Sequence, residues 1–242
     1  MHPAVAVFVY ASITALATGL GALPFAFVKQ ISDRSIAYAN AIASGLMLGA
    51  SFGLVAEGSG YGRLQTIIGA NLGVAFILLT QKLLRRYPVE FGSFRGAGSR
   101  QMLLIMVVMT VHSISEGVAV GAAFGGGMKL AFVITAAIAV HNIPEGLAIS
   151  AVLRPRGMSV AACAGWSVFS SLPQPFMAVP AFLFIDAFRP ALPYGIGFAA
   201  GAMVFMVLVE LLPEAYEHGP RHATALIVSL TLVAMMLFQQ TL

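Results

Sequence analysis

Apolar runs of about twenty residues, each closed by a short polar or Gly/Pro-rich gap, recur from one end of the chain to the other. A membrane-spanning α-helix needs about 20 predominantly apolar residues. Eight segments reach that length: about 4–27, 36–56, 64–84, 101–125, 129–153, 158–185, 191–212 and 223–241. The pattern predicts an all-α integral membrane protein with eight transmembrane helices, numbered here as spans one to eight. The first run, Pro3 to Val28, is too long for a signal-peptide core. It also lacks a basic segment before it and a small-residue cleavage pattern after it, so it reads as a span. The longest connection, about 85–100, is polar and Gly-rich and is expected to be mobile and cytoplasmic. No segment is long enough to form a soluble domain, which leaves residues 1–242 as a single transmembrane domain with its function inside the bilayer.

The basic residues give an independent reading of topology, because cytoplasmic loops carry the excess of Lys and Arg. Counted over alternate gaps, one side holds Lys29, Arg34, Lys82, Arg85, Arg86, Arg95, Arg100, Arg154, Arg156 and Arg221, and the other only Arg63, Lys129 and Arg189. This asymmetry predicts both termini outside the cytoplasm, with the chain in a cell (inner) membrane. The same distribution removes nucleic acid as a partner: a net charge of +4 spread over loops makes no basic patch. Composition agrees, with 59% hydrophobic and 9% charged residues against roughly 25% charged in soluble domains. The one cysteine, Cys163, excludes an intrachain disulfide.

Small residues recur four apart at Gly45/Gly49/Gly53, Gly69/Gly73, Gly117/Gly121 and Gly197/Gly201, a spacing suited to close helix packing in lipid. Span two reads Ala-Ser-Gly-Leu-Met from Ala43 and span seven reads Ala-Ala-Gly-Ala-Met from Ala199, in opposite directions across the membrane. Such inverted repeats are common in secondary transporters. They make spans one to three, against six to eight, the helices expected to move.

Ionisable side chains inside spans cost about 2.5–3.5 kcal/mol each on insertion scales, so each is a functional candidate. Span four carries His112-Ser113-Ile114-Ser115-Glu116 and span five carries His141-Asn142-Ile143-Pro144-Glu145. Residues four apart share a helix face, so both pairs can meet in one cavity. Two neutral imidazoles and two carboxylates form a mixed N/O set that suits Zn, Fe, Mn or Co, whereas Mg and Ca prefer oxygen throughout. The competing reading is that these groups only tie two helices together, but Ser, Thr or Asn usually serves that purpose. Pro144 frees the carbonyl of Val140 inside this turn, a feature as consistent with packing as with a site. Two carboxylates this close in a low dielectric need a cation or a proton, so metal and proton should compete for Glu116 and Glu145.

On these motifs, with HNIPEGLA at His141 to Ala148 and GFAAGAMVFMVLVELLPEA at Gly197 to Ala215, the chain resembles the ZIP family of divalent-metal transporters, in particular its bacterial, GufA-like branch. The resemblance implies an inverted-repeat bundle with a binuclear site near the membrane centre. Carried over, the first metal meets His112, Glu116, His141 and Glu145, with Met47 of span two as a soft neighbour. Without the resemblance, Met47 would read as core filler or a lipid-facing residue. The second metal position departs from the family, which commonly supplies Asn or Asp at Ser113, Asp or Asn at Asn142 and Glu at Gln174. With neutral groups in all three places, the second site is expected to be weak or empty.

Glu57, Glu210 and Glu214 stand at helix ends, where solvated carboxylates are ordinary. The functional alternative puts Glu57 at the entrance, and Glu210, Glu214, Glu217, His218 and His222 at the cytoplasmic exit. The expected function is transport of a divalent transition metal into the cytoplasm, zinc foremost with iron, manganese or cobalt also compatible. The metal is then substrate and there is no catalytic cofactor. The partners are the ion and the lipid bilayer, with a homodimer left open. Two other readings compete with transport. An intramembrane zinc hydrolase would need a separate general base and lacks HExxH, and a non-transporting, metal-sensing relative would bind without flux.

Overall fold

The computed structural model describes residues 2–27, 32–86, 90–91, 94–95, 97–125, 127–184 and 190–241. Nine α-helices are described: α1 (Pro3–Leu20), α2 (Asp33–Arg86), α3 (Ala97–Gly125), α4 (Met128–Leu153), α5 (Val160–Ser171), α6 (Pro173–Leu183), α7 (Leu192–Met206), α8 (Leu212–His218) and α9 (Arg221–Gln240). A two-residue antiparallel pairing, Glu90–Phe91 with Phe94–Arg95, stands before α3. The rest of the predicted 85–100 loop is shorter than its composition suggested, because α3 already begins at Ala97. Lys29, Arg189 and loop positions 87–89, 92–93 and 96 lie outside the described residues.

Local chemistry sets several boundaries. Pro3 opens α1 where no N–H is needed, and His2 Nδ1 accepts a hydrogen bond from the Ala4 amide at 3.3 Å. Gly127, at φ 105°, supplies the left-handed backbone that starts α4, and Ser159 Oγ caps α5 by accepting from the Ala162 amide. Pro213 removes one amide from the ladder, and the turn before it, Val207–Leu211, widens into a π-helix that joins α7 to α8.

Six helical stretches among the described residues are long and apolar enough to cross a membrane. Seven of the eight expected spans fall within them, and span six does not. Spans two and three are both contained in α2, whose backbone leaves helical geometry at Gly62 (φ 174°, ψ 107°). Before Gly62, Gly45, Gly49 and Gly53 face Thr231, Met235 and Gln239 of α9 in succession. After it, Thr66 and Ala70 face Gly197 and Gly201 of α7. Because α7–α8 and α9 run in opposite directions, with the Thr224 hydroxyl returning to the Ala215 carbonyl, the two halves of α2 also run oppositely. Span six is divided into α5 and α6 at Leu172, where Pro173 and Pro175 cannot donate backbone hydrogen bonds. One reversal, at Gly62, thus lies within α2, and one break, at Leu172, separates α5 from α6.

The helices pack in two groups. α2, α7, α8 and α9 form one, and α1, α3, α4, α5 and α6 form the other. This differs from the grouping expected from the weak repeat, and the reason is visible in the glycines. Gly69 and Gly73 lie against α7 backbone and Gly197 and Gly201 against α2 backbone, while Gly117 and Gly121 bring α3 onto Gln174 and Ala178 of α6. Direct backbone approach, not repeat ancestry, decides which helices are tightly joined. The main apolar cluster joins the two groups through Met47, Met109, Leu153, Met203 and Met206. On the outside, α9 buries only Thr224 and Met235 and presents Leu226, Leu230, Val233 and Leu237, a surface suited to lipid.

A side chain at Gly197 would collide with the Thr66 carbonyl, whereas Gly165 has open space around it. Gly197→Val should therefore lower stability by about 1–3 kcal/mol, while Gly165→Ala should leave it unchanged or raise it by roughly 0.5–1 kcal/mol. Thermal unfolding of the purified protein in one detergent checks both, and equal melting for the two variants would contradict the packing described.

Candidate metal centre

α3 and α4 lie side by side and turn their His/Glu faces toward each other. His112 and Glu116 come from α3, His141 and Glu145 from α4, and all four are buried, with at most 6% of any residue exposed. One ligand atom from each lies within 4.8 Å of all the others, and among the described residues this is the one such group of His, Cys, Asp and Glu. His112 Nε2 is 3.0 Å from Glu145 Oε1 and 3.6 Å from Glu116 Oε1, and His141 Nε2 is 3.6 Å from Glu145 Oε1. Four ligands at 2.0–2.1 Å around a tetrahedral ion stand roughly 3.3 Å apart. These three separations lie on either side of that value and the others are within 4.8 Å, so an ion would draw the four groups together by side-chain adjustment.

The two imidazole rings are nearly parallel, 5.8 Å between centroids and 22° between planes. Despite their proximity, His112 Nδ1 and Nε2, His141 Nε2 and both Glu145 oxygens make no hydrogen bond among the described residues. Buried polar atoms are normally paired. Two imidazoles and two carboxylates within 4.8 Å of one another are an arrangement that a cation satisfies.

Glu116 differs from Glu145 in having a fixed partner. Gln174, at the first turn of α6, donates from Nε2 to Glu116 Oε2. Its Oε1 accepts from Thr14 Oγ1 of α1 and from Asn142 Nδ2 of α4, the latter at 3.2 Å. Asn142 Nδ2 also donates to the Thr14 carbonyl at 2.8 Å. The break at Leu172 is what turns Gln174 inward, and Gly117 lets α6 approach closely enough for the bond to form. The carboxamide thus joins α1, α3, α4 and α6 at the site. Ser113 Oγ and Asn142 Oδ1 are buried nearby without hydrogen-bond partners among the described residues.

A cavity of about 550 Å³ leads to the cluster from one end of the bundle. His112, Glu116 and His141 form its floor, and Glu57, Phe52 and Gln240 lie on its exposed rim. Glu57 therefore shares a water-accessible space with the cluster. Glu210 and Glu214 lie at the opposite end: Glu210 Oε1 accepts from Gln81 Nε2 at 2.9 Å, and the Glu214 carbonyl lies 3.0 Å from His218 Nδ1. Met47 is fully buried in the apolar cluster that closes the molecule on that opposite side.

Sequence reasoning missed Thr14 and Thr18 of α1, whose hydroxyls meet Gln174 and Ser171. The signal was present in the stripe Thr14, Thr18, Gly21, spaced four and three apart on one face of an otherwise apolar helix. It also missed Gln239 at the cavity mouth, whose amide approaches the Ala50 carbonyl at 3.4 Å.

Comparison with known proteins agrees with this geometry. The ZIP zinc transporter family profile matches residues 94–238, which include α3, α4 and the cluster. The zinc transporter GufA of Myxococcus xanthus is 30% identical over 223 residues, 86% of this chain and 88% of that protein. The zinc transporter ZupT of Corynebacterium glutamicum is 31% identical over 247 residues, covering 92% and 94%. A longer protein of Arabidopsis thaliana is 43% identical over 225 residues, but the chain spans 36% of its length. These relatives are named as transporters, and nothing in them favours a hydrolase or a non-transporting sensor. A family profile over more than half of the chain, and bacterial relatives matched nearly end to end, place this integral membrane protein in the ZIP family of zinc transporters.

Proposed function

We propose that the protein carries a divalent transition-metal ion, zinc foremost, across a cell membrane into the cytoplasm through His112, Glu116, His141 and Glu145. The observation that carries this reading is the gathering of four buried ligand residues within 4.8 Å of one another, three of them at the floor of an open cavity. Two carboxylates offset the charge of a dication, and two imidazoles favour a borderline metal over Mg or Ca. The names of GufA and ZupT, as zinc transporters, support zinc as the substrate.

The chain crosses the bilayer eight times in this reading. The opposed halves of α2 supply two crossings and the α5–α6 pair one. Both termini then lie outside the cytoplasm, and the cavity mouth, near Arg63 and the end of α9, falls on the side poor in Lys and Arg. Glu57 attracts the cation at that entrance. Glu210 and Glu214 stand where the ion leaves, and Met47 lies along the closed half of the route. The two packing groups of helices are the bodies that move against each other, because glycine-mediated backbone contacts hold each together while an apolar side-chain cluster joins them.

The neutral set Ser113, Asn142 and Gln174 makes a second metal position weak. Gln174 already occupies Glu116 Oε2, the oxygen a bridging carboxylate would offer to a second ion. One ion per chain is the expected stoichiometry.

In proteoliposomes with an internal zinc-sensitive dye, His112→Ala combined with Glu145→Ala should abolish uptake, and either alone should reduce it by roughly tenfold or more. Zinc entering the double variant at the unsubstituted rate would refute the site. Gln174→Leu removes the donor to Glu116 while keeping side-chain size, and should lower thermal stability by about 1–3 kcal/mol. Elemental analysis of the unsubstituted protein should find one zinc per chain, and two would contradict the role given to Gln174.

A further inference from the structure

Asn40 and Ser44 in the first half of α2 are fully buried, and neither the Asn40 carboxamide nor the Ser44 hydroxyl has a hydrogen-bond partner among the described residues. Leaving such groups unpaired away from water is a cost that folded proteins avoid unless the groups serve another state. Their position says which state. At about 100° per residue, Asn40, Ser44, Met47, Ser51 and Leu54 fall within about 40° of one line along the helix. Leu54 lies on the wall of the cavity that ends at His112 and Glu116. The line therefore leaves the cavity and runs toward the end of the bundle where Ala37 meets Gly219.

The opposite face of the same helix is accounted for: Gly45, Gly49 and Gly53 hold it against α9. The Asn40–Ser44 face consequently points into the molecule. The neighbouring positions Ala39, Ala43 and Met47 belong to the apolar cluster that joins the two helix groups and closes this half.

We infer that the Asn40–Ser44 face of α2 is the polar lining of the ion's way out, closed in this conformation by the methionine-rich cluster and exposed when the two helix groups shift. Resting on the transport reading above, it gives the departing dication an oxygen from the Asn40 carboxamide and one from the Ser44 hydroxyl, ligands hard enough to replace the imidazoles left behind yet neutral enough to release the ion. It also explains why Asn40 and Ser44 stay unpaired among the described residues beside a largely apolar core.

The test is the double variant Asn40→Leu/Ser44→Ala, measured in three ways on the full chain. Zinc binding at equilibrium in detergent should stay within about twofold, because the four ligands of the cluster are untouched. The melting temperature should hold or rise, since unpaired buried polar groups are replaced by apolar ones. The initial rate of zinc uptake into proteoliposomes should fall by about tenfold, the effect of removing one hydrogen-bond-strength interaction with the ion at its barrier. Unchanged uptake would overturn the inference. So would a fall in melting temperature that accompanies slower uptake, because the two residues would then be structural. Zinc binding without any uptake by the unsubstituted protein would overturn the transport reading itself, and that outcome is read in the same assay.

Discussion

Two carboxylates held against two imidazoles, almost wholly buried at the end of a cavity, constrain everything else in this molecule. Charges in such a place cost several kcal/mol apiece unless opposite charge and hydrogen bonds compensate. Glu116 is met in part by Gln174, whereas Glu145 has the two imidazoles and the Glu116 carboxylate near it and no hydrogen bond among the described residues. The protein alone leaves the cluster undercompensated, and a dication completes it. Substrate affinity and structural tension are here the same quantity, seen with and without the ion.

That tension can persist only if the surrounding helices hold still, and in lipid there is no hydrophobic force between them to do so. Close backbone approach does it instead. Each pair of helices that meets at a small-residue stripe, α2 with α7 and α9, and α3 with α6, gains dispersion contacts that a larger side chain would prevent. Within the site's own group this rigidity is supplemented by polar ties, Thr18 to Ser171 and Asn142 to Thr14, which fix α1, α4 and the α5–α6 junction together. Between the groups there are mainly flexible side chains, with methionine prominent. Methionine fills irregular space in several rotamers, so the joint between the groups tolerates repacking where the interior of each does not.

Much of this was legible in the sequence. The His/Glu pairs at four-residue spacing announced a shared face, and the glycines spaced four apart in α2, α3 and α7 all lie at close helix contacts. What the sequence withheld was partnership. Nothing in the run Ser170 to Pro175 says that its glutamine will take two donors from α1 and α4 while donating its own N–H to Glu116. Hydropathy alone also gave no sign of the break at Leu172 that divides span six. Periodicity reports faces and lengths. It is silent on which faces meet, because that depends on residues far apart in the chain.

Gln174 illustrates how a neutral residue sets the character of a charged site. A carboxylate in its place would add a third negative charge beside Glu116 and would call for a further cation. A hydrocarbon would strip Glu116 of its donor. The carboxamide can do neither: its oxygen is already engaged by Thr14 and Asn142, so its NH2 group has one direction left, toward Glu116 Oε2. With that oxygen engaged, Oε1 is left facing His112, 3.6 Å away. The hydrogen-bond chain therefore orients a ligand and limits its charge demand at once, using groups that titrate at no accessible pH.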